Sequence, residues 1–351
     1  MAKEAPIAGM TGKIGKRATI RDVAKAAGVS IKTVSRVFND EPNVREEIRE
    51  KVRQVGQKLN YHPNVAARNL ARRRSHLIGL FFENPSPAYV TELQMGALKR
   101  LRGTGYRLLI FPVEDRADIR GAMVSTVYAS GLDGVIVTPP MCDDPVILEE
   151  LLSSHLPFVR VAGDSSIHSA GTVVIDDEAA AFDLAEYVLR LGHRRLAIVI
   201  GDETHRSARL RLKGFRRALR TAGIEPQPAL EIQGAFTFQS GLEAGRRLLH
   251  HANRPTAILA SNDDMAAGVL QAAHELRIPV PQKLSVVGFD DTALARMVWP
   301  QLTTIRQPIF EMAERAADIL LRQIETGITS ETAQLSYDLV IRSSAGEAPT
   351  S

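Results

Sequence analysis

Apolar residues recur along this chain with two different rhythms, and the change falls near residue 75. From Thr19 to Tyr61 the spacing is helical throughout. Ile20, Val23, Ala24 and Ala27 fall at i, i+3, i+4 and i+7 and predict one buried stripe. Thr19 is suited to cap that helix, with Asp22 three residues on as an acidic variant of the capping box. Gly28 predicts the break and Ser30 the cap of a second helix. There Val34, Val37 and Phe38 point inward, while Lys32, Ser35, Arg36 and Asn39 share the opposite face. A third helix follows, with Ile48, Val52, Val55 and Leu59 as its apolar stripe.

Beyond the charged break Arg72–Arg73–Arg74–Ser75 the chain alternates apolar runs with amphipathic helices. HLIGLFF (76–82), RLLIFPV (107–113), GVIVTPP (134–140), FVRVAG (158–163) and TVVID (172–176) form one set. RLAIVIG (195–201), TAILASN (256–262) and KLSVVGFDD (283–291) form another. Near-continuous apolar runs are the mark of strands buried on both faces of a parallel sheet. The helical segments between them end on glycine, a common stop. This predicts doubly wound α/β architecture, with too many strands for one sheet and hence two subdomains sharing a cleft.

At 351 residues, 44% hydrophobic and 24% charged, the chain has room for two or three globular domains. The single cysteine, Cys142, excludes an internal disulfide framework and any multi-cysteine metal site, and no apolar run reaches membrane-spanning length. MAKEAPIAGMTGKIGKR lacks the apolar stretch of a secretory signal, so a cytoplasmic location is expected. The net charge of +4 conceals an asymmetry. Residues 1–75 carry 17 Lys and Arg against 7 Asp and Glu, a net of +10, whereas residues 76–351 carry 27 against 33, a net of −6. A basic head on an acidic body suggests nucleic-acid binding; a solvated basic tail is the alternative.

Two short helices joined at a glycine turn fit a helix-turn-helix, whose second helix enters the DNA major groove. The outward Lys32, Ser35, Arg36 and Asn39 are side chains suited to base edges. A plain three-helix bundle with a solvated face has the same spacing. The segments TIRDVAKAAGVSIKTVSRVFND and VREEIREKVRQVGQKLNYHPNVAARNLA closely resemble the head of the lactose/galactose repressor family of bacterial transcription regulators. The match is ungapped from Thr19 to Ala71 and includes the VSxxTVSRVxN and YxPNxxAxxLA patterns.

The resemblance implies that Thr19, Ser30, Ile31, Lys32, Thr33, Ser35, Arg36 and Asn39 face DNA. Ile31 and Lys32 would occupy the positions that most distinguish operators, with Asn39 on the backbone. Tyr61 matches the tyrosine before the hinge. NVAARNLA (64–71) matches a hinge helix, capped by Asn64, with Leu70 wedging a central base step and Ala67 against the minor groove. Arg72–Arg74 would clamp the backbone beside it.

The body resembles the same family, and the sugar-binding periplasmic proteins, over about residues 76–343. The phrases SARLRLKGFRRAL, AILASNDDMAAGVLQAA and LSVVGFDDTALARMVWPQLTTIRQP carry this. Ser207 and Arg211, Asn262 and Asp264, Asp290, and the Phe236 ring would then bind a small effector, commonly a sugar or purine. Arg160 and Asp164 are weaker candidates for the opposite wall. The implied fold is a small all-α helix-turn-helix domain plus an α/β periplasmic-binding-protein-like effector domain of two doubly wound subdomains. The expected organisation is a flexible basic arm (1–17), a helix-turn-helix domain (18–62), a hinge helix and linker (63–75), an effector and dimerisation domain (76–343) and a tail (344–351). Within the effector domain the N-subdomain takes about 76–174 and 306–332, and the C-subdomain about 175–305 and 333–343.

Acid pairs at Asp176/Asp177, Asp263/Asp264 and Asp290/Asp291 raise the question of an enzyme. Each pair sits where a strand opens into a helix, so one acid serves as a cap. No HExxH or GxSxG pattern appears, and the near-Walker stretch GMTGKIGK fails on spacing. A secreted sugar-binding protein would not carry the basic head. The expectation is a non-enzymatic, cofactor-free, cytoplasmic homodimer. It would repress a sugar-utilisation operon through a pseudo-palindromic operator, with purine-responsive, corepressed or activating versions as alternatives.

Overall fold

In the computed structural model, residues 18–62, 74–83, 86–168, 170–328 and 330–349 are described. The expected arm and the hinge residues Asn64, Ala67 and Leu70, with Arg72 and Arg73, lie outside them. The chain divides into two compact units, residues 1–75 and 76–351.

In the first unit, α1 (Ile20–Ala27), α2 (Ile31–Phe38) and α3 (Glu46–Lys58) follow the helical periodicity. Thr19 and Asp22 form the reciprocal capping box, and Gly28 ends α1 at φ 67°, where a side chain would strain the backbone. Ser30 caps α2 by accepting from the Thr33 N–H at 3.1 Å. Val23, Ala27, Val34, Val37 and Val52 form the core, and Phe38 packs edge-on against Tyr61 at 5.2 Å. Leu59, expected in the stripe of α3, is 38% exposed because the helix ends one residue earlier.

The second unit opens with β1 (Leu77–Phe82), α4 (Pro87–Leu101), β2 (Arg107–Pro112), α5 (Arg116–Ile119), α6 (Met123–Ala129), β3 (Gly134–Val137), α7 (Pro145–Ser153), β4 (Phe158–Val161) and β5 (Gly171–Val174). It continues with α8 (Asp177–Arg190), β6 (Leu196–Ile200), α9 (Arg206–Thr221), β7 (Glu231–Gln233), α10 (Phe238–Leu249), β8 (Ala257–Ala260), α11 (Asp263–Glu275), β9 (Ser285–Asp290), α12 (Ala293–Met297) and β10 (Thr303–Arg306). It closes with α13 (Ile309–Thr326), β11 (Thr332–Gln334) and β12 (Asp338–Val340).

Two sheets result. The first, β11-β5-β4-β3-β1-β2, is parallel throughout; the second, β12-β10-β9-β8-β6-β7, is parallel except for β12 against β10. The chain passes between the two layers after β5, after β10 and after β11, at the edge where β5 and β11 are neighbours in one sheet and β10 and β12 in the other. One buried apolar cluster runs from Ile78 and Leu93 through Ala181 and Phe215 to Leu259 and Phe289, joining both layers. The first sheet keeps Ala333 and Gln334 through β11, and the second keeps Arg306 through β10, so the exchanges fall a residue or two from the expected boundaries.

The residues expected as a tail do not hang free. Ser344 is buried and accepts from the Thr303 N–H at 2.8 Å, while Ala348 N–H donates to the Leu191 carbonyl at 2.8 Å. Buried His193 ties the same segment down, reaching Ser285 Oγ at 3.0 Å and the Gly346 carbonyl at 3.1 Å. Residues 344–348 thus finish the second layer, because they satisfy strand-edge groups that would otherwise be orphaned.

Candidate functional site

On the head, Ile31 and Lys32 are exposed at the start of α2, while Ser35, Arg36 and Asn39 are half-buried. The hydroxyls of Ser30 and Thr33 lie 2.9 Å apart, and Asn39 Nδ2 donates to Ser35 Oγ at 3.3 Å. Arg36 approaches Glu41 at 3.6 Å, an exposed pair that a phosphate or base can replace at little cost. Thr19 is exposed at the start of α1, and Tyr61 is half-buried against Phe38.

In the body, the carboxyl ends of the strands converge on a narrow cleft of about 30 Å³ between the two layers. This is where a doubly wound sheet places a ligand, beside the points at which strand order reverses: between β1 and β3, and between β6 and β8. Ser86, Tyr89, Pro139 and Ala162 line it from the first layer. His205, Ser207, Arg211, Phe236, Asn262 and Asp290 line it from the second, and Gln307 from the crossing after β10. Of the expected effector residues, all but Asp264 reach this wall.

Arg211 is the centre of the site. It is buried on α9, and its guanidinium lies 3.6 Å over the Phe289 ring. Nε donates to Asp177 Oδ1 at 2.8 Å, and Nη1 donates to the Ser261 carbonyl at 2.7 Å and approaches Asp290 Oδ1 at 3.4 Å. Gln307 Nε2 donates to the same Asp290 oxygen at 2.6 Å. The result is a chain, Asp177–Arg211–Asp290–Gln307, whose two ends sit just after the first crossing and at the start of the second. Burial raises the Asp290 carboxyl to about 7, against the pull of Arg211.

Asn262 lines the cleft, yet its side chain also caps α11 by accepting from the Met265 N–H at 2.9 Å, and it donates to the Phe236 carbonyl at 3.0 Å. Asp264 sits at the rim, accepting from Ser86 Oγ at 2.7 Å across the cleft. Arg206 and Asp164 make a second bridge across it at 3.4 Å. Arg160 does not line the cleft; it is fully buried and fastens loops of the first layer. The Phe236 ring lies on bare backbone at Gly201, where an added Cβ would come within 2.1 Å of it. Ala162, Phe236 and Asp290 all hold positive φ, at 56°, 58° and 111°, the local strain that concentrates at ligand sites.

The acid pairs have structural duties. Asp176 caps α8, Asp177 holds Arg211, and Asp291 holds Arg306 at 2.7 Å. Asp263 accepts from the Thr292 N–H at 2.8 Å and from Thr304 Oγ1 at 2.7 Å. Among the described residues no cluster of three or more His, Cys, Asp or Glu is placed to hold a metal.

Sequence reasoning missed Ser86, Tyr89, His205 and Gln307. His205 meets the Phe236 ring edge-on at 5.2 Å, and burial pulls its imidazole down to about 4 against the opposing charge of Asp202. The fold therefore binds fewer protons at His205 than the unfolded chain does between pH 6.5 and about 4, and loses stability as pH falls through that window. Asp290, raised, acts with the opposite sign. On acidification from pH 7.5 to 5, His205→Gln is expected to lose less melting temperature than the wild type; an equal loss would remove His205 from the balance.

Comparison with known proteins follows the same division. The profile of the bacterial regulatory proteins, lacI family, matches residues 19–64, and that of the periplasmic binding protein-like domain matches residues 185–345. The HTH-type transcriptional regulator DegA of Bacillus subtilis is 38% identical over 302 residues, 85% of this chain and 89% of that protein. The chain belongs to the lacI family. It is a transcriptional regulator with a helix-turn-helix head and a periplasmic-binding-protein-like effector domain, not an enzyme. The ribose operon repressor of Escherichia coli K12 is 34% identical, covering 93% of this chain and 100% of its own. The lac repressor dimer bound to operator and an anti-inducer superposes with a TM-score of 0.85 at 29% identity, over 94% of this chain and 100% of that one. Among the described residues no helix is long and apolar enough to cross a membrane.

Proposed function

We propose that this lacI-family chain is a cytoplasmic, homodimeric repressor of a carbohydrate-utilisation operon, released from a pseudo-palindromic operator by a sugar-type effector in the cleft. The observation that carries the effector half is the buried Arg211–Asp290–Gln307 network facing an aromatic ring at Phe236. Vicinal hydroxyls suit such a fork of donors and acceptors, and the apolar face of a sugar suits the ring. Dimerisation is supported by Met95 and Leu98, about half exposed on α4, and by Ile110 on edge strand β2 packed beside it. A two-fold dimer reads two half-sites, hence the pseudo-palindrome.

The test is selection of bound sites from random DNA, followed by operator titration with and without sugars and purines. Recovery of a palindrome whose affinity falls when a sugar is added supports the reading. A ligand that tightens operator binding makes the protein corepressed instead, and a purine as the only active ligand overturns the sugar assignment. Lys32→Ala is expected to relax preference at one position per half-site by about 1–3 kcal/mol. Equal weakening on all sequences would make Lys32 a phosphate contact.

A further inference from the structure

Polar atoms with no partner face the cleft from both layers. His205 Nε2 is buried without a hydrogen bond. The Tyr89 hydroxyl and Arg211 Nη2 bond to no other group among the described residues and, unlike His205 Nε2, remain open to the cleft, although the rest of each side chain is buried. His205 Nε2 is costly to leave unsatisfied, and a ligand rich in small donors and acceptors can bond all three.

The charge around them is unbalanced. Each arginine near the cleft is already held: Arg211 by Asp177 and Asp290, Arg206 by Asp164, and Arg116 by Glu83 at 3.2 Å. Asp264 has Ser86 and Asn262 as partners and no ion-pair partner among the described residues, while Asp202 accepts from the Thr204 N–H and hydroxyl and lies 3.9 Å from His205. A carboxylate or phosphate entering this cleft passes Asp264 at the rim, meets Asp290 inside, and finds every nearby arginine already paired with an acid. Hydroxyls meet neither obstacle: they donate to the acids and accept from Arg211.

We infer that the cleft selects an uncharged polyhydroxylated effector and rejects the matching anions, the uronates and the sugar phosphates. This rests on the effector reading above and adds the sign of the ligand's charge to it.

The experiment is titration calorimetry of the full chain at pH 8. Neutral sugars, including glucose, galactose and ribose and a set of disaccharides, are compared with glucuronate, galacturonate and ribose 5-phosphate. The expected result is binding of at least one neutral sugar, with its anionic counterpart weaker by about a hundredfold or more. Asp290→Asn should narrow that ratio at least about tenfold, since it removes a repelling charge and releases Arg211 from one partner. Asp264→Asn gives the same readout if Asp290→Asn no longer binds operator. An anion that binds the wild type as tightly as its neutral counterpart overturns the inference and leaves the sugar reading standing. If no carbohydrate binds, charged or neutral, the sugar reading itself falls and this inference with it.

Discussion

Replacing Arg211 with methionine is expected to abolish the ligand response while operator binding survives. The lacI-family helix-turn-helix lies in the first unit, whose core contains none of the residues around Arg211. In the second unit the loss is twofold. The cleft loses its central donor, and Asp177 and Asp290 remain buried without their counter-charge. Breaking a buried ion pair from one side costs about 3–5 kcal/mol, so denaturant unfolding of the effector unit should shift by that order. Part of the loss is recovered at low pH, because Asp290 takes up a proton readily. The double variant Arg211→Met/Asp290→Asn should therefore be more stable than Arg211→Met alone at pH 8. A variant that still responds to ligand would confine Arg211 to a structural role.

Arg160→Met is expected to be comparably damaging for a different reason. Arg160 is fully buried on β4, and its two terminal nitrogens serve five acceptors. Nη1 donates to Asp143 at 3.0 Å and reaches the Cys142 carbonyl; Nη2 donates to the Asp164 and Ile167 carbonyls and to Thr172 Oγ1. Removing the fork withdraws a donor from all five at once and leaves Asp143 with the Asp164 N–H in place of its counter-charge, a loss of about 3–5 kcal/mol. Lysine does not rescue it, since a point charge cannot reach two loops in opposite directions. Hydrogen exchange should show residues 141–144 and 164–168 opening together. If they stay protected in the variant, the fastening role assigned to Arg160 is wrong.

These two arginines also mark how far the residues alone could be read. Arg211 stood out because its surrounding phrase resembles a known family, and the structure brings it to the cleft with Ser207, Phe236, Asn262 and Asp290. Arg160 stood out as a charge inside an apolar run. That pattern says only that the charge must be paired, and the pairing turned out to lie between loops away from the cleft. The missed residues sit on segments whose local signal has another meaning. Ser86 reads as a helix cap, Tyr89 as part of an apolar helix face, and Gln307 as a connection between strand and helix.

The strands show the same limits. The long runs were legible because both faces are buried. β7 and β11 were not, being three residues each and half exposed at sheet edges. β10 escaped because Thr303 and Thr304 fill its interior and are satisfied by Ser344, Arg342 and Asp263, a pairing no periodicity reveals.

The three passages between the layers all lie along one edge of the two sheets, and this governs which motions are cheap. A body held by three side-by-side tethers bends easily about the line that joins them and resists twisting, as a door does on its pins. Two of those pins are fastened to each other through the cleft, since Asp177 follows the first passage, Gln307 lies in the second, and Arg211 and Asp290 join them. A ligand that takes over a bond of Arg211 or Asp290 therefore alters the stiffness of the pivot itself, as well as filling the gap between the leaves.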